Sequence, residues 1–218
     1  MLELFVSDVA AADLVERASG YGVPVHRVDD SVMRSMTETV QPQGVLAVCD
    51  FLDVPLEDLL AGHPRLVAVC VDVRDPGNAG TVIRCADAAG ADGVVLAGTS
   101  VDPYNGKAVR SSAGSLFHLP VVVATDPSYV VDALRADGMT VLAATGAGEL
   151  DLDSALDEGT LADRSAWLFG NEAHGLPDEL TRLSDHRVRI PIHGRAESLN
   201  LATAAAVCLY ASARAHRR

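Results

Sequence analysis

From Leu66 onward the chain alternates short, near-continuously apolar runs rich in β-branched residues with longer alanine-rich segments, and no other feature restricts its fold as strongly. Runs of that kind need cover on both faces, so they read as strands of a parallel sheet flanked by helices, an α/β architecture. The expected strands are Leu66 to Asp72, Gly93 to Ala97, Pro120 to Val123, Thr140 to Ala144, Ala166 to Phe169 and Val188 to Pro191. Helical patterns run from Ala79 to Ala89 closed by Gly90, from Tyr129 to Ala136 closed by Gly138, and from Leu199 to His216.

The first fifty residues read as a separate, small α+β unit. Its expected elements are a strand from Leu2 to Val6, a helix from Ala11 to Ala18, a strand from Pro24 to Val28, a helix opening at Asp29 or Asp30, and a strand from Gly44 to Cys49. Residues 51–64, with Pro55, Gly62 and Pro64, read as a linker with one helical turn, leaving residues 65–218 as the larger domain.

Composition narrows the function classes. At 218 residues and 49% apolar the chain can bury a substantial core, which excludes a disordered protein. Apolar stretches such as Leu66 to Val71 stop well short of the roughly 18 residues that cross a bilayer, so no membrane span is expected. Glu3, Asp8 and Asp13 stand where a secretion signal would be basic and then uninterruptedly hydrophobic, and a cytoplasmic location is expected. Cys49, Cys70, Cys85 and Cys208 share no C-x-x-C spacing and lie in apolar segments, which reads as buried reduced thiols; with no H-E-x-x-H or calcium-loop pattern, no metal site is expected. A formal net charge of −13 argues against coating nucleic acid through bulk charge, but not against a local site. Of the 17 basic residues only Lys107 is lysine, and arginine's planar fork suits phosphate.

Four stretches hold more polar residues than folding requires. Asp72-Val-Arg-Asp-Pro-Gly-Asn-Ala-Gly-Thr-Val-Ile-Arg84 leaves a strand and enters a helix, with Pro76 and Gly77 in the turn, Asn78 placed to cap, and Arg84 expected on the second helical turn. It fits neither the Rossmann nor the P-loop spacing. Trp167-Leu-Phe-Gly-Asn-Glu-Ala-His-Gly-Leu-Pro177 crowds Asn171, Glu172 and His174 between glycines where a strand ends, the place at which α/β proteins bind ligands; His174 reads as a solvated loop residue. Ile190-Pro-Ile-His-Gly-Arg-Ala-Glu-Ser-Leu-Asn200 brings Ser198 and Asn200 to a helix start, which favours anions or polar ligand groups but equally describes a simple serine cap. Asp102-Pro-Tyr-Asn-Gly-Lys-Ala-Val-Arg-Ser-Ser-Ala-Gly-Ser115 sets Lys107 and Arg110 three apart on one helical face, either a phosphate-binding surface or a solvated basic face.

In this order, the segments resemble the SpoU (TrmH) family of RNA ribose 2′-O-methyltransferases, of the SPOUT superfamily. Asn78, Gly80 and Arg84 match its first motif, Phe169-Gly-Asn-Glu-Ala-His-Gly its second, and Ile190-Pro-Ile with Glu197-Ser-Leu-Asn200 its third, from about Leu66 to the carboxyl end. The resemblance implies a parallel sheet tied into a deep trefoil knot, S-adenosylmethionine as methyl donor, and a homodimer whose interface completes the active site. It implies a catalytic set of Arg84, Glu172, Ser198 and Asn200 supported by Asn78. The donor would be held around Thr145, Gly146, Gly170, Ile190 and Leu199, and RNA would meet Lys107, Arg110 and Ser112. Residues 1–50 resemble the L30-like substrate-binding module of the family, in Pro24-Val-His-Arg-Val and Thr39-Val-Gln-Pro-Gln-Gly-Val. The module's usual beginning is missing, so a late start or a shortened chain is expected.

The implied substrate is structured RNA, ribosomal RNA of the 23S type ahead of transfer RNA. A non-catalytic RNA-binding protein of the same fold and a metabolic nucleotide-binding enzyme are the competing readings; neither accounts for Asn78, Arg84, Glu172, Ser198 and Asn200 occurring together.

Overall fold

Residues 1–7 and 12–217 of the chain are described by a computed structural model and separate into two units, Met1–Phe51 and Leu52–Arg218. In the first, β1 (Glu3–Val6) pairs in parallel with β2 (Val25–Arg27) and antiparallel with β3 (Val45–Val48), giving the order β2-β1-β3. Period-two alternation turns Leu4 and Val6 inward against α1 (Ala12–Gly20), whose Ala18 completes a small core. The expected start of α1 at Ala11 lies outside the described residues. Asp29 caps α2 (Asp30–Met36) by accepting from the amides of Ser31 and Val32.

The second unit opens with α3 (Leu56–Ala61), which buries Leu56 and Leu59. Residues 52–64, where a linker with one helical turn was expected, carry this helix and group with the larger unit. The Tyr104 hydroxyl accepts from the backbone N–H of Asp53 at 2.7 Å and donates to its carboxylate at 2.8 Å, fixing this stretch.

A seven-stranded, wholly parallel sheet follows. Its strands are β4 (Leu66–Val71), β5 (Gly93–Ala97), β6 (Val121–Ala124), β7 (Thr140–Ala144), β8 (Leu150–Asp151), β9 (Ser165–Phe169) and β10 (His186–Arg189), in the order β6-β5-β4-β9-β7-β10-β8. β4, β5 and β9 are buried along their whole length because helices cover both sheet faces. On one face Ala68, Cys70 and Trp167 pack under α4 (Pro76–Ala89) and α9 (Leu201–Ala215). On the other, Val67, Val69 and Val71 pack with α3 and α6 (Pro127–Ala136). The Trp167 indole N–H donates to the buried Ser212 hydroxyl of α9 at 2.9 Å, so the polar edge of the largest core side chain is satisfied.

The sequence expectations for β5 and β7 match at both ends, and α4 closes at Gly90. The last strand instead sits two residues earlier than expected, because polar His186 and charged Arg187 and Arg189 interrupt the apolar pattern used to place it. The expected cap of α4 also changes: Asp75 is the N-cap, with Pro76 at the first helical position, and Asn78 lies inside the helix. Arg84 thereby falls on the third helical turn. The remaining helices are α5 (Gly106–Ser112), α7 (Leu152–Asp157) and α8 (Asp178–Leu183). Cys70 and Cys208 are buried, as expected, whereas Cys85 is half-buried and Cys49 exposed. Among the described residues no helix is long and apolar enough to cross a membrane.

Candidate active site

Three neighbouring strands of the sheet, β9, β7 and β10, end at one cleft of about 420 Å³. That size suits a nucleoside-sized ligand, and the carboxyl ends of parallel strands are where such ligands lie. The β7 end contributes Thr145 and Gly146, the β9 end Phe169, Gly170 and Glu172, and the chain after β10 Ile190, Ser198, Leu199 and Asn200. All five residues expected around the donor, Thr145, Gly146, Gly170, Ile190 and Leu199, thus line the same space.

Chain crossings shape the cleft. At Gly170 an added Cβ would lie 2.2 Å from the Gly175 carbonyl carbon and 2.3 Å from the Leu176 nitrogen, so the returning loop passes where any side chain would stand. Asn171 holds that loop. Its Nδ2 donates to the Asp72 carbonyl at 2.7 Å, its Oδ1 accepts from the Ala173 amide at 2.9 Å, and its backbone pairs with Gly175. The Thr99 amide and hydroxyl in turn hold the Asp72 carboxyl below the usual carboxylate range. No role for Asn171 or Asp72 was legible in the sequence beyond loop polarity.

Beside the cleft three side chains from distant segments form one hydrogen-bonded row. Asn200 caps α9, its Oδ1 accepting from the amides of Ala202 at 3.0 Å and Thr203 at 3.3 Å. This leaves its Nδ2 to donate to Asn78 Oδ1 at 3.0 Å, and Asn78 Nδ2 then donates to Glu172 Oε1 at 2.8 Å. Each amide's orientation follows from the one before it, and the row ends on a carboxylate whose other oxygen makes no hydrogen bond among the described residues. Glu172 also faces the end of β4. Burial first, and then the Glu172 charge, push the Cys70 thiol up to about 12.

Asn78, Glu172, Ser198 and Asn200 are therefore brought together, but Arg84 is not among the cleft residues. Six residues past Asn78, it lies about 9 Å further along α4 and well round the helix. There it is exposed and makes no hydrogen bond or ion pair among the described residues. A shallower groove shares Asn78 and Asn200 with the cleft and is bordered by Asp75, Gly77, Thr81, Cys85 and Ser111.

The residues expected to meet RNA separate. Arg110 is exposed, and Lys107 is paired with Asp75 at 2.7 Å. Ser112 corrects its expectation: it is fully buried on the inner side of α5 and donates to the Val109 carbonyl at 2.8 Å, so its hydroxyl offers nothing to a partner. His174 is exposed in its loop, as expected.

The cleft suits S-adenosylmethionine chemically. Phe169, Leu176, Ile190 and Leu199 supply apolar wall for a base, Glu172 and Glu197 supply negative charge for a cationic sulfonium and amine, and an added Cβ at Gly146 would meet open space. Among the described residues the backbone of residues 191–199 makes no internal hydrogen bonds, leaving amides and carbonyls for a ligand. No group of side chains able to hold a metal is found among the described residues.

Comparison with known proteins agrees with this geometry. The SpoU rRNA Methylase family model matches residues 65–210, and that for RNA 2′-O ribose methyltransferase substrate binding matches residues 2–55. The 23S rRNA (guanosine(2553)-2′-O)-methyltransferase RlmP of Bacillus subtilis is 40% identical over 189 residues, 87% of this chain and 72% of that protein. The 23S rRNA (uridine(2479)-2′-O)-methyltransferase of Streptomyces viridochromogenes is 38% identical, over 85% of this chain and 65% of that one, so the match spans just under two thirds of the relative. Among solved structures, the AdoMet-bound rRNA methyltransferase from Sinorhizobium meliloti aligns with a TM-score of 0.84 at 34% identity, covering 98% of this chain and 79% of that one.

Proposed function

The chain belongs to the SpoU rRNA methylase family, and from that membership we propose that it is an S-adenosylmethionine-dependent methyltransferase acting on a ribose 2′-hydroxyl of 23S-type ribosomal RNA. The observation that carries the reading is the Asn200, Asn78 and Glu172 row standing at the rim of a cleft built from three strand ends. S-adenosylmethionine supplies, when bound, a methyl group on a sulfonium sulfur that departs as a neutral thioether. Thr145, Gly146, Gly170, Ile190 and Leu199 would hold it, through backbone groups and apolar contact.

The protein's own task is then alignment and stabilisation of charge on a hydroxyl that scarcely ionises at neutral pH. Arg84 stays protonated, so it does not serve as a base; it grips the adjacent phosphate and the developing oxyanion while solvent or phosphate takes the proton. Glu172 orients Arg84 or the donor side, and Ser198 with Asn200 fixes loop and ribose.

Arg84 acquires its surroundings in a homodimer. Thr203, Val207, Tyr210 and Arg214 form one exposed stripe of α9, and the Tyr210 hydroxyl donates to the Ala88 carbonyl at 3.3 Å, one turn past Arg84. Val207 at 39% and Tyr210 at 54% exposure leave apolar surface there for a second copy to cover. Residues 1–50 act as the substrate-binding module and residues 65–218 as the catalytic domain. A trefoil knot is consistent with β9 and β10 each entering between earlier strands, β9 between β4 and β7 and β10 between β7 and β8. The two named relatives act on a guanosine and a uridine, so choice of nucleotide rests on RNA shape more than on a shared base pocket. The cytoplasm is where such a substrate is met.

Isothermal calorimetry with S-adenosylmethionine, followed by incubation with labelled donor and total RNA, tests the reading. Donor binding and label in large-subunit RNA are expected. Label in transfer RNA alone would shift the substrate. RNA binding with no donor signal would instead identify a non-catalytic RNA-binding protein.

A further inference from the structure

Lys107 is the only lysine in the chain, and it does not offer a free charge to a partner. Its Nζ lies 2.7 Å from Asp75 Oδ2, while the other oxygen of that carboxylate accepts the Asn78 backbone N–H at 2.8 Å. One carboxylate therefore joins the lysine to the turn of α4 that carries Asn78. An ammonium near the amino terminus of α5, and beside that of α4, opposes both helix dipoles unless a counter-charge accompanies it, and Asp75 is that counter-charge. The fit is close. A Cβ on Gly77 would stand 2.7 Å from Asp75 Oδ1 and 3.0 Å from Lys107 Cε, so glycine leaves the path by which the lysine arrives. The Ser111 hydroxyl, also on α5, shares its proton between the Ala108 carbonyl of its own helix at 3.1 Å and the Pro76 carbonyl of the same turn at 3.3 Å.

We infer that Lys107 is a positioning residue: with Asp75 it fixes the first turn of α4 so that Asn78 meets Glu172 and Asn200, and it does not serve as a phosphate contact. The inference rests on the reading of Asn78, Glu172 and Asn200 as part of the catalytic centre. It leaves Arg110 as the α5 side chain free to approach RNA.

Three single variants and one double variant separate the roles. Asp75→Asn keeps a capping side chain but removes the charge, Lys107→Met removes the ammonium, and Lys107→Arg keeps a cation. Thermal melts establish that each is folded. Methyl transfer to ribosomal RNA, RNA affinity as a function of salt, and amide exchange at Asn78 are then measured. Asp75→Asn and Lys107→Met are each expected to lower kcat about tenfold and speed Asn78 exchange, with KM for RNA and the salt slope unchanged. The double variant should lose no more than the worse single one, as for two members of one unit. Lys107→Arg should recover most of kcat. The inference is overturned if Lys107→Met raises KM for RNA and reduces the salt slope by about one while Asp75→Asn behaves as wild type, the pattern of a phosphate contact. Were the unaltered protein to methylate no RNA, the catalytic reading would fall. The Asn78 exchange rates and salt slopes would still decide what Lys107 does.

Discussion

In the proposed mechanism Arg84 would carry the heaviest chemical demand of any single side chain, since a guanidinium that keeps its protons assists a hydroxyl only by stabilising charge. Arg84→Ala is expected to lower methyl transfer at least a hundredfold, about the scale of losing one oxyanion-stabilising donor, with donor affinity by calorimetry within twofold of wild type. Unchanged turnover would remove Arg84 from the mechanism. Asp72 gives a prediction in pH. Its native titration lies below the ordinary 3.8 because the Thr99 amide and hydroxyl favour the carboxylate. The stability this confers is complete above the unfolded value and disappears as the pH falls through the native one. Wild-type melting temperature should therefore drop more steeply between pH 5 and pH 3 than that of Asp72→Asn; parallel curves would contradict the assignment. Single-residue roles were only partly legible in the sequence. Asn78 stood in a plausible cap position, but Asp75 immediately before Pro76 is the better cap, and that frees the Asn78 amide to reach Glu172 94 residues away. Ser112 shows the complementary failure: in a seven-residue helix the pattern does not fix which hydroxyl faces inward.

Among elements, legibility tracked burial. β4, β5 and β9 announced themselves because every position faces helix-covered core. β8 is two residues long and carries no periodic signal, and β10 is a charged strand whose arginines have partners the sequence does not display. Arg189 is the informative one. Its Nη1 donates to the carbonyls of Gly148 at 3.0 Å and Glu149 at 3.2 Å, and its Nη2 lies 3.4 Å from Asp151. It thus ties the loop after β7, which brings Thr145 and Gly146 to the cleft, onto the neighbouring strand. Arg189→Met is expected to weaken S-adenosylmethionine binding about tenfold, roughly 1.4 kcal/mol, with little change in RNA affinity. Calorimetry reads the first and filter binding the second. Equal donor affinity in the two proteins would show that the loop holds its shape unaided.

The molecule as a whole joins a small α+β unit with few buried side chains to a large parallel sheet with an extensive core. The meeting of its three polar segments was legible only through the family resemblance and not from local pattern, because Asn78, Glu172 and Asn200 are joined only through the order in which parallel strands are laid side by side. If a second copy covers α9, Tyr210→Glu should turn a dimer into a monomer in sedimentation and lower methyl transfer with it; a monomeric wild type of full activity would exclude that assembly. The most direct measurement concerns the product. A ribose whose 2′ oxygen carries a methyl group cannot attack its own phosphodiester, so alkali leaves an intact dinucleotide at that position. After incubation of ribosomal RNA with radiolabelled S-adenosylmethionine, the label should emerge in one alkali-resistant dinucleotide with the wild-type protein and be lost with Glu172→Gln. Label released in mononucleotides, as from a methylated base, would contradict the chemistry assigned to this cleft.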